Sequence, residues 1–364
     1  MKKLLSITAS ALFLVACSEK PGYVISGSVS DAEANGKYVY LHQAPFKGNQ
    51  AAIDSALVEN NSFTFTGTAD TAKACVIAFL KEGARPKTVE FVLENAALTA
   101  TLNDTERSVV GSPANDNLVA FFQQLKELNE SGKTIAEELK SEDKAIAEAA
   151  KEKEEAFEKQ INDLYTNFIN QNLNSLSGAI VLVQRYHSLS DNDLIQITDN
   201  MGEIFKTHPT VERIKQIADV RKTVLVGNKF VDFEMADTEG KMHKLSEYVG
   251  NGKVVLIDFW ASWCPPCRAS MPSLVALHKT YKNKGFDIIG ISLDRNAEAW
   301  VKGIKDLKIT WPQLSDVKGW QNAGAALYGV NSIPHTVLVS KDGTILAKNL
   351  HGQELEEKIK EALK

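Results

Sequence analysis

From Tyr23 to Val110 hydrophobic and polar positions alternate with a period of two. The segments "YVISGSVS", "KYVYLHQ", "SALVENNSFTFTG", "CVIAFL", "TVEFVLEN" and "LTATLN" are short and rich in β-branched and aromatic residues. Gly, Asn and Asp break them, which is the pattern of half-buried strands. Asn60-Asn61 sits where a tight hairpin turns, between "SALVE" and "SFTFTG". Residues 23–111 are therefore expected to form a small antiparallel β domain, a sandwich or barrel. Cys75 falls in one of these strands, where a lone cysteine packs as a small hydrophobe.

The period then becomes helical. Leu118, Phe121, Phe122, Leu125 and Leu128 make one apolar stripe, and Phe157, Ile161, Leu164, Tyr165 and Phe168 make another. Between them "TIAEELKSEDKAIAEAAKEKEEAFEK" is nearly all Ala, Glu and Lys. It favours helix strongly but has little to bury, so a long solvated helix or a helical hairpin arm is expected. A coiled-coil partner surface is the alternative. Ser190 caps a further helix, with Asp193 in the capping-box position, and Thr210 is a candidate cap for another. The helical region, 114–222, reads as a spacer.

From 223 to 364 the pattern is α/β. "KVVLIDFW" and "FDIIGISLD" are apolar runs of buried-strand length, and "HTVLVS" and "GTILAKN" are joined by the hairpin signal "SKDG". Helical spacing marks "PSLVALHKTYK", "AEAWVKGIKDL" and "QELEEKIKEAL". Ahead of them "FVDFEMADTEGKMHKLSEY" reads as a β-hairpin turning at Thr238 to Gly240.

Composition narrows the setting. Lys2 and Lys3 precede a short, mostly apolar run, Leu4 to Ala16, about two thirds of the roughly 20 residues a membrane-spanning helix needs. This is a secretory signal pattern over residues 1–16, with 17–22 as a tether. "LVAC" resembles the lipobox of bacterial lipoproteins, which implies lipidation at Cys17. The expected location is the cell envelope, anchored to a membrane and facing the periplasm. A net charge of −5 with no basic block argues against nucleic acid as a partner.

The chain has four cysteines, and beyond Cys17 only Cys75, Cys264 and Cys267 remain. In an oxidising compartment that is too few for a disulfide scaffold. "DFWASWCPPCRASMP" places Cys264 and Cys267 three apart behind a strand. A redox pair, a zinc half-site and a structural staple are the possible readings. Zinc needs four ligands, and no second CxxC or close histidine pair accompanies this one. A cysteine at a helix N-terminus has its thiolate favoured by unpaired N–H groups and the macrodipole. Pro265 and Pro266 fix φ without breaking the helix behind them. Asp258 is the only acid in the stretch, and burial would raise its proton affinity toward the range of a useful general base.

"LIDFWASWCPPCR", followed some 70 residues later by "YGVNSIPHTVLVSKDGTI", resembles the thioredoxin superfamily and its exported TlpA/ResA branch. The resemblance covers residues 223–364 and implies a thioredoxin-like fold there, preceded by a β domain and a helical linker. It implies Cys264 as attacking thiol and Cys267 as resolving thiol, with no cofactor beyond their disulfide and no metal. It further implies a cis-proline at Pro334, after Ile333, presenting backbone to a substrate chain, and Trp260 and Trp263 shielding the pair. Partners would be exported protein thiols and disulfides and a membrane or periplasmic electron donor. Two positions depart from the branch. Ser270 stands where many members carry a glutamate, and His335 where threonine is common, as a substrate-facing group or a solvated loop histidine. A binding or scaffold lipoprotein acting through its N-terminal domain, and a thiol peroxidase, are the competing functions.

Overall fold

A computed structural model describes residues 22–364 apart from 32, 49 and 82. The signal pattern and Cys17 lie outside the described residues. The chain divides into two compact units whose boundary falls between Gln124 and Leu125.

Among its described residues the first unit holds eight strands: β1 (Tyr23–Val29), β2 (Tyr38–Gln43), β3 (Asp54–Leu57), β4 (Ser62–Gly67), β5 (Lys73–Phe79), β6 (Lys87–Leu93), β7 (Ala97–Leu102) and β8 (Arg107–Val110). They form two four-stranded sheets, β4-β1-β7-β8 and β3-β2-β5-β6. Ile25, Phe65 and Leu98 of one sheet share a core with Leu41, Ile77 and Phe91 of the other. The expected sandwich is present, with two differences. β1 pairs parallel to β7. The turn at Asn60-Asn61, both with positive φ, is closed by mutual Glu59–Ser62 backbone bonds, yet β3 and β4 then part to different sheets. The alternation is the same on either side of such a corner, so pattern alone does not show it. Gly27 is required because a Cβ there would meet the Phe63 ring at 2.0 Å. Cys75 is fully buried in β5, and burial pushes its thiol up to about 12.

The charged helical stretch folds as a hairpin of α1 (Pro113–Glu138) and α2 (Lys144–Gln171). Lys153 pairs with Glu138 at 2.6 Å, and the Phe157 ring packs where Gly132 lacks a side chain. Then come α3 (Leu176–Arg185), α4 (Asp191–Asn200), α5 (Glu203–Lys206) and α6 (Val211–Thr223). The Ser190 hydroxyl accepts from the Asp193 N–H and caps α4, whereas Thr210 makes no side-chain cap on α6. These helices are more than a spacer. Asp191 of α4 reaches Lys348 of the α/β domain at 2.6 Å and Arg221 of α6 at 3.3 Å, so the last helices pack on that domain.

The α/β part begins with the hairpin β9 (Glu234–Ala236) and β10 (Met242–Lys244). Next follow β11 (Val254–Trp260), α7 (Pro265–Tyr281), β12 (Phe286–Ser292), α8 (Ala297–Asp306), β13 (Gln313–Leu314), α9 (Ala323–Leu327), β14 (His335–Val339), β15 (Ile345–Lys348) and α10 (Gly352–Leu363). The sheet order is β13-β12-β11-β14-β15, with β12 parallel to β11 and β13 and the other pairs antiparallel. Every residue of the central strand β11 is buried. An apolar run without alternation marks a strand covered on both faces. β11 therefore delivers Asp258 and Trp260 to one side and Phe259 to the other, at the edge where α7 begins.

Candidate redox site

Cys264 ends the loop after β11 and is the N-cap of α7, with Pro265 and Pro266 in the first turn. Proline suits these positions, where an N–H has no intrahelical acceptor. Cys264 and Cys267 are joined as a disulfide with Cα atoms 5.3 Å apart. The Cys267 N–H donates to Cys264 Sγ at 3.2 Å, a contact that stabilises negative charge on that sulfur once the bond opens. Opposite lies the carbonyl oxygen of Ile333, 3.7 Å from Cys264 Sγ, in a loop whose Ile333–Pro334 bond is cis. Ser270 donates its hydroxyl to the Cys267 carbonyl at 3.0 Å, so it braces the first turn.

The loop is fixed from behind by a residue that sequence reasoning passed over. Asp294 is buried and accepts from the Ser262 hydroxyl and N–H at 2.6 and 3.0 Å and from the Ser292 hydroxyl at 2.7 Å. Its backbone carbonyl accepts from the Gly319 N–H, which ties the redox loop to the turn carrying Trp320.

The two tryptophans expected to shield the pair part company. Trp263 is half exposed and lies 6.3 Å from the equally exposed Trp320, ring centre to ring centre. With Arg295 they line a groove of about 440 Å3. Trp260, by contrast, is fully buried and presents nothing to a partner. Its side chain points inward because its indole N–H donates to Gln313 Oε1 at 2.8 Å.

Asp258 is 2% exposed, and its Oδ2 has no hydrogen-bond partner among the described residues. Burial alone pushes its carboxyl up to about 7. It pairs in register with Gly290 of β12, and Gly290 pairs with Gln313 of β13. A Cβ on Gly290 would meet the Gln313 carboxamide at 2.1 Å. The missing side chain therefore lets that amide fold over β12, on the face that Asp258 and Trp260 share. With Oε1 held by Trp260, Gln313 Nε2 is left buried and unpartnered among the described residues. A spare acceptor and a spare donor thus lie buried on one face of the sheet. The two-residue strand β13 is too short to leave a periodic signal, so Gln313 was not legible beforehand.

His335 is neither solvated nor in the loop. It opens β14, buried, with its ring 6.0 Å from that of Phe259. Burial, then Lys348, holds it neutral, down to about 3. Its pairing with Phe259 puts it on the sheet face opposite Asp258.

Residues 226–348 match the AhpC/TSA family and residues 23–118 match a domain of unknown function, DUF4369. The chain is 32% identical over 139 residues to a thiol-disulfide oxidoreductase ResA of Bacillus thuringiensis, covering 38% of this chain and 77% of the relative. It is 32% identical over 143 residues to the ResA of Geobacillus thermodenitrificans, covering 39% and 79%. Among solved structures, a thiol-disulfide oxidoreductase from Bacteroides fragilis is 35% identical, covering 37% of this chain and 98% of that one, with a TM-score of 0.35. The thioredoxin domain of a thiol-disulfide oxidoreductase from Bacteroides vulgatus is 32% identical, covering 38% and 99%, with a TM-score of 0.36.

Proposed function

This chain belongs to the ResA-type thiol-disulfide oxidoreductases, and we propose that it exchanges disulfides with exported polypeptides through Cys264 and Cys267 while tethered to a membrane by Cys17. The observation that carries this reading is the placement of Cys264: capping α7, receiving the Cys267 N–H, and facing the carbonyl of Ile333. In the reducing direction the Cys264 thiolate attacks one sulfur of a substrate disulfide. The substrate S–S bond breaks, its leaving thiolate takes a proton, and a mixed disulfide forms. Cys267 then gives its proton to Asp258 and attacks Cys264 Sγ, which releases the second substrate thiolate for protonation. The substrate disulfide ends as two thiols, and the Cys264–Cys267 pair ends oxidised. The oxidising direction is the same sequence reversed. No cofactor is required, and a membrane or periplasmic dithiol donor returns the pair to its reduced form.

A substrate chain lying along Ile333 also meets Trp263 and Trp320, whose exposed faces suit an apolar or aromatic residue beside its cysteine. The tether follows from the lipobox-like "LVAC"; among the described residues no helix is long and apolar enough to cross a membrane. Expression of Cys17→Ser with labelled palmitate tests the anchor. The variant should lose the label and leave the membrane fraction while reducing insulin at the unaltered rate. A labelled, membrane-bound Cys17→Ser chain would remove the anchor from the account.

A further inference from the structure

On the sheet face opposite Asp258, the start of α4 and the end of α6 face the loop before β14 and strand β15 across a cavity of about 570 Å3. Arg221 and Lys348 have side chains only 7% and 8% exposed and share the carboxylate of Asp191, at 3.3 and 2.6 Å, and Arg221 also donates to the Leu189 carbonyl at 3.4 Å. Asp193, also on the lining, accepts from the Ser190 hydroxyl through one carboxylate oxygen at 2.7 Å. Two polar atoms in the lining are buried without a partner among the described residues, Asn331 Nδ2 and Nε2 of the 7%-exposed His335. Buried charges are ordinarily matched one to one and buried donors are ordinarily satisfied. Two nearly buried cations sharing one carboxylate, beside two unpartnered buried atoms, leave the cavity able to take a further acceptor-bearing group. After burial, Lys348 and Arg221 outweigh Asp191 in lowering His335, and Arg221 and Arg213 lower His187.

We propose that this cavity is a subsite for a carboxylate carried by the exchanged polypeptide, an acidic side chain close to its reacting cysteine. The proposal rests on the reading that a substrate chain docks at Ile333. That residue, whose carbonyl is 3.7 Å from Cys264 Sγ, is two positions from both Asn331 and His335. An extended chain advances roughly 3.3–3.6 Å per residue, so a side chain about two to four residues from the substrate cysteine reaches the cavity. There the carboxylate accepts from Asn331 Nδ2, and from His335 when Nε2 carries the imidazole proton. It shares Lys348 and Arg221 with Asp191.

The test uses the full chain and disulfide-bonded peptides that differ only by Glu or Gln at positions two to four residues from cysteine. The expected result is a preference for Glu of roughly ten-fold in kcat/KM at one position, mostly in KM, the scale of one charge-assisted hydrogen bond. Lys348→Met and Asn331→Ala should lose the preference and Lys348→Arg should keep it, with folding checked by tryptophan fluorescence. Free glutarate should compete with the Glu peptide and not with the Gln peptide. Equal kcat/KM for the pair at every position overturns the proposal. If glutarate then still stabilises the wild type and not Lys348→Met, the carboxylate belongs to a free small molecule instead. Failure of both peptides to react at all counts against the exchange reading itself, and the glutarate arm still decides whether the cavity holds a carboxylate.

Discussion

Replacing Asp258 by Asn should make the protein more stable at neutral pH and slower at its work. The carboxyl goes from an ordinary 3.8 in the unfolded chain to about 7 when buried. Ionising it in the folded state therefore costs about 4 kcal/mol, at roughly 1.4 kcal/mol per pH unit between those values. The sign follows from proton counts. Between pH 4 and 7 the folded state holds a proton that the unfolded state has lost, so this contribution is fully present below pH 4. It is lost as pH rises through 7 and does not fall further above that. Asn stays neutral throughout and escapes the loss. Relative to wild type, Asp258→Asn should be more stable by about 1 kcal/mol at pH 4.5 and by about 2–4 kcal/mol at pH 8, the lower figure allowing for relaxation around a buried charge. All five tryptophans lie between 260 and 320, so urea unfolding followed by indole fluorescence reports on the α/β domain alone. In the same variant the proton acceptor proposed for Cys267 is gone, and release of a mixed disulfide near pH 7 should slow roughly ten-fold or more. Adding Glu at Ser270 should restore part of that rate. Parallel stability curves from pH 4.5 to 9 would falsify the assignment of a buried, proton-holding Asp258, whatever the rates.

Gln313→Leu removes the donor beside Asp258 and orphans the Trp260 indole N–H. It should cost about 1–3 kcal/mol of stability and move the midpoint of the resolution pH profile upward; an unmoved midpoint would separate Gln313 from the proton chemistry. Cys75→Ser should leave insulin reduction unchanged, because that thiol is sealed in the β sandwich. Burying a hydroxyl in its place should destabilise the first unit by roughly 1–2 kcal/mol; a large loss of exchange would mean that Cys75 is a third redox cysteine.

What the sequence disclosed, and what it withheld, follows the range of the interactions. β11, α7 and the placement of Cys264 are written in a continuous apolar run followed by a capping residue and two prolines, all local signals. The raised proton affinity of Asp258 was legible too, since a lone acid within a buried strand has little else to do. Trp260 and Trp263 have the same residue type and neighbouring positions, yet one is sealed and the other exposed. Strand alternation and Gln313, 53 positions away, make that difference. His335 and the Asp191–Lys348 pair, separated by 157 positions, depend on how α4 and α6 pack on the sheet, which no periodicity records. The parallel β1·β7 pairing escaped for the same reason: a strand's pattern shows which face is buried and not which neighbour it takes.

The central claim is a division of labour between two sulfurs, and trapping a defined substrate tests it most directly. Cys267→Ser and Cys264→Ser, each reduced and mixed with one oxidised cysteinyl peptide, can be read by intact mass under non-reducing conditions. The account predicts that Cys267→Ser accumulates a one-to-one mixed disulfide at Cys264 and cannot release it, while Cys264→Ser remains unmodified on the same timescale. Accumulation on Cys264→Ser, through Cys267, with none on Cys267→Ser would contradict it.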